Sequence, residues 1–466
     1  MLQSPYLRGT VNLVNQMAPS MGIGKVFKGL LPKEITVDEF IFAPQPYFPV
    51  AEKAIQATDD ETIQAFFIWR ATTALSSLVT SDVIQPWRDF VTSFRGLEGE
   101  AAVTPRWRRC VALVDLGLDT GAGASPQSLG WILSRFFVEK AYSLSVQAAM
   151  NKMFVNIIDT FHTRIRAKDW LTSLVKERVV EKLDAINKYV GWPIADPEAL
   201  DPLAIKTYYK TMKTSDSHFD NVVNEMRFFV RHGWERLSHP IVDYWIQTSA
   251  TNNAYYTGDF NDVIIPAGIQ TSVLFDSDLP GYSQFGFLGT ILAHELTHSI
   301  DSRGRHFDLN GKHTKWWDDS SIEAFENRTD CFVNQFDNYS VEYPIGSGKK
   351  VQVDGTTTLP ENIADTGGLN IAFETYLAMR KAGEFKNTAN GEEPRLPGLE
   401  QYSNEQLFFM QWAQNWCTKD TDVGLAAELG DIHSPAAIRI NGPMANAEGF
   451  IKAYNCKVKE PVCELW

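Results

Sequence analysis

Apolar residues recur every three or four positions along much of the first 190 residues. The clearest stretches are residues 51–80 and residues 128–190, which contain few glycines or prolines. Such spacing aligns the apolar side chains on one face of a helix. The pattern predicts that this part of the chain consists mostly of long helices.

The pattern changes after residues 190–203, a short segment that contains three prolines. Short β-prone runs bounded by Gly, Pro or Asn then occur at residues 227–239, 252–269 and 349–359. Helical spacing returns at residues 285–302, 361–380 and 404–416. Because prolines interrupt helices and mark boundaries, we predict a helical domain over residues 1–195 and a mixed domain over residues 196–466.

Composition and charge narrow the class of protein. The chain has 466 residues, which is more than one ordinary hydrophobic core accommodates, and its 44% hydrophobic and 21% charged residues are typical of a globular protein. A net charge of −14 argues against nucleic acid or an anionic membrane surface as the main partner. No run of 18 apolar residues and no secretory-signal pattern occurs, so we predict no membrane span in this chain.

The segment ILAHELTHSID, residues 291–301, contains two histidines four positions apart around a glutamate. On a helix, positions i and i+4 share one face, so His294 and His298 can bind one metal ion with Glu295 beside it. The alternative is a buried helix in which both histidines are simply hydrogen-bonded. The spacing favours a zinc site.

A catalytic zinc ion takes three protein ligands, so a third one is needed. The segment LPENIADTGGL, residues 359–369, supplies a candidate, because Pro360 suits the first turn of a helix and Glu361 and Asp365 then share one face. Glu361 can bind the metal while Asp365 accepts the free ring N–H of a ligating histidine. The alternative is a pair of solvated acids near a helix N-terminus.

With both segments, the chain resembles the neprilysin family of zinc endopeptidases, which includes the endothelin-converting enzymes. The resemblance extends from about residue 190 to the end and is weaker before it. Further matching segments, in the family's order, are NNAYY and IIPAGI, LFFMQWAQNWC, DIHSPAAIRING and the terminal CELW. The resemblance implies an α+β, mainly α-helical fold with a thermolysin-like catalytic domain, an incomplete helical domain and one Zn²⁺ per chain.

The resemblance also implies roles for individual residues. The zinc ligands would be His294, His298 and Glu361. The residues that assist the reaction would be Glu295 as general base, Asp365 as the partner of a ligand histidine, and His433 as the group that stabilises the tetrahedral intermediate. The substrate-binding residues would be Asn253 and Ala254 at an edge strand, Arg439 on a substrate carbonyl, and Ile269 and Trp416 in an apolar pocket.

Three of these residues have plain alternatives in the sequence itself. His433 can be a loop histidine held by Asp431. Arg439, between two isoleucines, can be a strand arginine on a solvated face. Trp416 can belong to the hydrophobic core.

The cysteines and the first residues bear on the location of the protein. The resemblance implies that Cys331 pairs with Cys463, and that the partners of Cys110, Cys417 and Cys456 lie upstream of Met1. It implies that a membrane anchor and roughly the first third of the family's extracellular part are absent from this chain. Family members are membrane-anchored or secreted, so we expect an extracellular protein or ectodomain. Two glycosylation triplets begin at Asn327 and Asn338.

These observations predict a zinc metalloendopeptidase. It would hydrolyse short peptides on the amino side of hydrophobic residues, using a zinc-activated water and a glutamate base. The alternative is a catalytically weak protein that binds zinc and peptides, because the N-terminal third is missing. A third hypothesis, a purely structural helical protein, requires both motifs to be accidental.

Overall fold

The computed structural model describes residues 6–33, 40–44, 46–79, 81–96, 104–118, 129–238, 242–271, 275–385, 392–458 and 461–466. These residues are mainly helical, with three small sheets among them. The predicted fold class, α+β and mainly α-helical, is confirmed. None of the described helices combines the length and the apolar character that a membrane span requires.

The α-helices before residue 240 are α1 (Val11–Met17), α2 (Ile23–Leu30), α3 (Tyr47–Gln56), α4 (Asp60–Ala74), α5 (Gln85–Phe94), α6 (Arg106–Leu116), α7 (Gly130–Ala141), α8 (Leu144–Ala167), α9 (Ser173–Asp184), α10 (Pro202–Tyr208) and α11 (His218–Glu235). Those after it are α12 (Gly281–Gln284), α13 (Thr290–Thr297), α14 (Asp319–Asp337), α15 (Leu359–Lys381), α16 (Asn404–Asn415), α17 (Asp422–Leu429), α18 (Ala436–Asn446) and α19 (Glu448–Tyr454). A π-helical turn, Phe285–Gly289, precedes α13. Short 3₁₀ turns lie at Pro19–Met21, Ser76–Leu78, Asp82–Ile84, Arg236–Ser238, Ala267–Gln270 and Gly304–His306.

The strands are β1 (Tyr6–Gly9), β2 (Phe40–Pro44), β3 (Asn187–Gly191), β4 (Tyr255–Thr257), β5 (Asp262–Pro266), β6 (Ser340–Glu342) and β7 (Lys350–Gln352). The sheet that bears on the site has the order β3-β5-β4. β3 pairs with β5 in parallel and β4 pairs with β5 in antiparallel fashion, so β4 lies at an edge. The β-prone segment at residues 252–269 therefore does form strands.

Most of the predicted long helices are present. In α8, buried residues recur at three- and four-residue spacing, from Met150 to Ile165, and Ser143 caps the helix by accepting from the amide of Val146. The apolar face of α8 packs against α15. Helical periodicity predicted this element because the period of 3.6 residues is a local property of the chain.

The prediction of a strand at residues 227–239 is wrong. Residues 227–235 belong to α11, which Ser217 caps by accepting from the amide of Asp220. Phe228 and His232, four residues apart, stack with their ring centroids 5.7 Å apart. Aromatic residues suit strands and buried helix faces alike, so their frequency misled the prediction while their i, i+4 spacing was correct for a helix.

The described chain divides into two compact units. The first comprises Met1–Thr92, Gly99–Leu133 and Ile194–Thr248, and the second comprises Ser93–Glu98, Ser134–Pro193 and Ser249–Trp466. These units differ from the predicted ranges 1–195 and 196–466, because α8 and α9 bury their apolar faces in the core of the second unit. A domain assignment by function stays a prediction.

Candidate active site

Helices α13 and α15 of the second unit cross closely, and the crossing brings the predicted ligands together. Gly368 of α15 lies against the backbone of α13, where a Cβ atom would sit 2.7 Å from the amide nitrogen of His294 and 3.0 Å from the carbonyl oxygen of Thr290. A side chain at this position would force the helices apart. Glu361, in the first turn of α15, is thereby held within reach of His294 and His298.

Three donor atoms converge at this crossing. The Nε2 atoms of His294 and His298 are 3.0 Å apart, and Oε2 of Glu361 lies 3.3 Å from the first and 3.4 Å from the second. A tetrahedral zinc ion with bonds of ~2.0–2.1 Å separates its ligand atoms by about 3.3 Å. The donor atoms therefore have the chemistry and the mutual spacing that zinc requires.

The carboxylate of Glu361 supports the same conclusion. Its Oε2 atom is buried and, although histidine nitrogens surround it, forms no hydrogen bond. Burial opposes ionisation, but the positive charge of His298 holds the pKa of Glu361 well below its usual range. An ionised, buried oxygen without a hydrogen bond is a suitable metal ligand, since a bound cation would satisfy it.

Each ligand histidine has a carboxylate beside its second ring nitrogen. Oδ1 of Asp365 lies 2.8 Å from Nδ1 of His294, and Oδ2 of Asp301 lies 2.6 Å from Nδ1 of His298. Both carboxylates are almost completely buried. Such partners fix the tautomer and the orientation of the ring, so Nε2 of each histidine faces the metal position.

Asp365 also anchors Arg439 of α18. The guanidinium donates to both carboxylate oxygens, from Nε and Nη2, at 2.8 Å each. Its other face lies on the ring of Trp416, with 3.7 Å between Cζ and the ring centroid. Arg439 is thus a helical residue at the site, and the alternative of a solvated strand arginine is wrong.

His433 lies on the same carboxylate as the two ligand histidines. Its Nε2 is 3.2 Å from Oε2 of Glu361, and its Nδ1 is 2.5 Å from Oδ1 of Asp431. Burial opposes protonation of His433, but the carboxylate of Glu361 raises its pKa above the usual value. His433 is therefore both held by Asp431, as the plain alternative had it, and directed into the site.

Glu295 follows the first ligand histidine and is 6% exposed. Burial raises the pKa of its carboxyl group, although the neighbouring His294 and His298 lower it. A buried carboxylate with a raised pKa is a stronger base than a solvated one.

A cavity of 720 Å³ opens onto these groups. All the residues predicted for the site line it: Asn253, Ala254, Ile269, His294, Glu295, His298, Glu361, Asp365, Trp416, His433 and Arg439. The sequence interpretation did not assign other lining residues, including the apolar Phe287, Ile291 and Trp412. Their positions match the helical periodicity of a core face, which does not distinguish a core residue from a pocket wall.

The cysteine prediction is confirmed for one pair. A disulfide joins Cys331 of α14 to Cys463, while Cys110, Cys417 and Cys456 are free and exposed. Asn338, at one predicted glycosylation triplet, is exposed. Glycosylation stays a prediction.

Comparison with known proteins agrees with the geometry. Two family models, both described as peptidase family M13, match residues 3–193 and 253–464. An endothelin-converting enzyme homolog of Locusta migratoria is 32% identical over 411 residues, which are 86% of this chain and 52% of that protein. Neprilysin-3 of Drosophila melanogaster is 30% identical across 99% of this chain and 55% of its own length. The chain spans about half the length of these curated relatives.

Solved structures show the same fold. The zinc metalloprotease Zmp1 of Mycobacterium tuberculosis, in complex with an inhibitor, superposes with a TM-score of 0.81 at 23% identity, over 100% of this chain and 67% of that one. PepO of Lactobacillus rhamnosis superposes with a TM-score of 0.75 at 20% identity, over 100% and 66%. Since the two family models together match most of its residues, the chain belongs to peptidase family M13.

Proposed function

We propose that this chain is a zinc-dependent endopeptidase that hydrolyses short peptides on the amino side of hydrophobic residues. The observation that carries the proposal is the convergence of His294, His298 and Glu361 within a large cavity, with Glu295 buried beside them. The same family relationship, and the names of its curated relatives, support it. One Zn²⁺ per chain is part of the proposal.

The three ligand residues would hold the zinc ion. When bound, zinc supplies Lewis acidity, which makes water more acidic and polarises an amide carbonyl. Asp365 and Asp301 lie at Nδ1 of the two imidazoles, which leaves Nε2 of each ring to face the metal position. Glu361 remains ionised, and the ligand set would carry a single negative charge.

Two further residues would move or donate protons. Glu295 takes a proton from the attacking water, because its buried carboxylate is a strong base. His433, held by Asp431 at Nδ1, presents Nε2 as a hydrogen-bond donor to the oxygen on which negative charge develops. One such donor contributes roughly 3 kcal/mol to the stability of a transition state.

The remaining lining residues account for the choice of substrate. An extended peptide can pair with the edge strand β4, next to Asn253 and Ala254. Arg439, fixed by Asp365 and Trp416, can donate to a backbone carbonyl of that peptide. Ile269 and Trp416 supply apolar surface for the side chain after the scissile bond.

A location outside the reducing cytosol is part of the proposal. The Cys331–Cys463 disulfide supports it, because such bonds persist in oxidising compartments. The second candidate is a protein that binds zinc and peptides with little turnover, and the same ligand cluster and cavity fit it.

Metal analysis and a peptide assay test the proposal together. Mass spectrometry of the purified full chain should find one zinc ion per molecule, and a quenched peptide should be cleaved before an apolar residue. Replacing that residue with aspartate should lower kcat/KM strongly. Zinc without cleavage would support the second candidate, and the absence of zinc would refute both.

A further inference from the structure

Lys182 of α9 is a fully buried lysine, with 0% of its surface exposed. A buried ammonium group is costly unless every donor has a partner and nearby groups balance the charge. No role in the chemistry proposed above requires it. Its surroundings therefore call for an explanation.

The ammonium group sits in a nest of backbone carbonyl oxygens. Nζ donates to the oxygens of Ser299 at 2.7 Å, Gly304 at 2.9 Å and Phe307 at 2.6 Å. The rings of Tyr256 and Trp316 lie 5.9 Å and 5.4 Å from Nζ. Three acceptors match the three N–H bonds of the charged form, and the aromatic faces also favour a cation.

Burial lowers the pKa of Lys182 to about 7, and the carboxylates of Asp301 and Asp308 oppose that change. The two carboxylates thus offset part of the cost of burying the ammonium group. The electrostatic partner closest to the candidate metal site is Asp301, which also contacts His298.

All three carbonyl groups belong to the turn that follows His298. Within that turn, the amides of Arg303 and Gly304 donate to Oδ1 of Asp301 at 2.7 Å and 2.6 Å. A Cβ atom on Gly304 would lie 1.8 Å from the carbonyl oxygen of His298, so the turn folds tightly back on the end of α13. Lys182 thus binds three carbonyl groups of this turn, and Asp301 binds two of its amide groups.

We propose that Lys182 is a positioning residue for the ligand histidine His298. By fixing residues 299–307 from α9, it holds the carboxylate of Asp301 where it orients the ring of His298. The inference rests on the proposed metal site and assigns it a support from a helix more than 100 residues away. Mutation of a residue that hydrogen-bonds a metal ligand commonly lowers metal affinity by roughly 10–100-fold. Lys182 would act through such a residue, Asp301.

The test measures zinc affinity in the full chain by competition with a chromophoric chelator. Lys182→Met keeps an unbranched apolar chain as far as Cε but removes the ammonium group and its three donors, and should raise the Kd for zinc at least tenfold. The visible spectrum of the cobalt-substituted protein should also change, because it reports the geometry of the ligands. Lys182→Gln, which keeps two N–H donors, should have a smaller effect and replaces Lys182→Met if that variant does not fold.

A double-mutant cycle separates positioning from general stability. If Lys182 acts through Asp301, Lys182→Met combined with Asp301→Asn should bind zinc about as weakly as Asp301→Asn alone. Val179→Ala is the matched control, because Val179 is buried on the same helix and belongs to the hydrophobic core. It should lower the melting temperature and leave the Kd unchanged.

Three results would overturn the inference. They are an unchanged Kd in Lys182→Met, additive effects in the cycle, and an equal loss of affinity in Val179→Ala. In each case zinc binding and cleavage by the parent would leave the proposed function intact. A parent that binds no zinc would overturn the proposed function and this inference together.

Discussion

At the scale of single residues, the same arrangement of a histidine and an aspartate occurs three times in the site. Each of its histidines presents Nε2 towards Oε2 of Glu361 and has an aspartate at Nδ1: Asp365 beside His294, Asp301 beside His298, and Asp431 beside His433. Each aspartate lies at Nδ1, so all three rings face the site with the same atom, Nε2. The orientation of the three rings thus depends on buried or partly exposed carboxylates beside Nδ1.

The first prediction separates a base from a ligand. Glu295→Gln should keep zinc and lose roughly 10²–10⁴-fold in turnover, because an amide cannot accept the proton of water. Glu361→Gln should lose zinc, because a neutral amide is a poor ligand. Zinc content by mass spectrometry and cleavage of a quenched peptide measure both. Near-parental cleavage by Glu295→Gln would refute the assigned base.

The second prediction concerns Arg439, whose guanidinium has two functions. Arg439→Met should lower kcat/KM by roughly 30-fold, about 2 kcal/mol, because a substrate carbonyl loses a charged donor. It should also reduce the free energy of unfolding by about 3–5 kcal/mol, since the buried carboxylate of Asp365 loses its bidentate partner. Urea unfolding and peptide kinetics give the two values separately. If Arg439→Met kept the parental kcat/KM but was less stable, Arg439 would have no part in substrate binding and would still stabilise the fold.

At the scale of elements, the site depends on a close helix crossing and on a buried strand. α13 has eight residues and gains its position from α15, which it meets at Gly368. β5 is buried along its whole length between β3 and the edge strand β4. Packing of this kind transmits small displacements, because a dense interior has little room to absorb them.

The third prediction tests the helix crossing. Gly368→Ala should lower the free energy of unfolding by about 1–3 kcal/mol and weaken zinc binding, because the new methyl group meets the backbone of α13. Gly233→Ala in α11 is the control, since no atom lies within 4 Å of its added Cβ, and it should be neutral or stabilising. Equal zinc affinity in Gly368→Ala and the parent would show that the crossing tolerates the methyl group.

The fourth prediction concerns pH and Asp262, at the start of β5. Burial raises its pKa to about 6, although a hydrogen bond from Asn187 lowers it. The folded state then binds more protons than the unfolded state, whose aspartates titrate near roughly 4, so stability is lost as pH rises from about 4 to about 6. The free energy of unfolding of Asp262→Asn should therefore increase relative to that of the parent as pH rises across this range. Urea unfolding of variant and parent at pH 4 and pH 7 measures this change. The same difference in the free energy of unfolding at both pH values would contradict the prediction.

At the scale of the molecule, one covalent link connects distant parts of the second unit. The Cys331–Cys463 disulfide joins residues 132 positions apart and ties α14 to the segment that follows α19. The second unit also draws its helices from separate ranges of the chain, so its core closes only when distant segments meet. A link of this kind removes freedom from the unfolded chain.

The fifth prediction follows from this link. Replacing Cys331 and Cys463 with alanine should lower the free energy of unfolding by about 2–5 kcal/mol. Cys456→Ser is the control and should have little effect, because that thiol is free and exposed. Alkylation of the native parent should label three cysteines, and reduction of the unfolded chain should expose all five. Five labelled thiols in the native state would contradict the disulfide.

The sequence by itself determined the local features of this protein. The i, i+4 spacing of His294 and His298, and of Glu361 and Asp365, already placed each pair on one helical face, and helical periodicity located α8, α15 and α16. The pairing of Cys331 with Cys463 came from resemblance rather than from spacing. These features depend on a repeat of 3.6 residues or on a motif, so neighbouring residues suffice to specify them.

Only the tertiary structure decided which distant residues meet. No periodicity joins Lys182 to the turn after His298, or Arg439 to Asp365, and a lysine in a helix looks like a solvated residue until the carbonyl nest around it is seen. The same holds for α11, whose aromatic residues suit a strand as well as a helix. Local conformational preferences are weak compared with the burial of apolar surface and the need to satisfy every buried polar group, and those two requirements are met only in the complete fold.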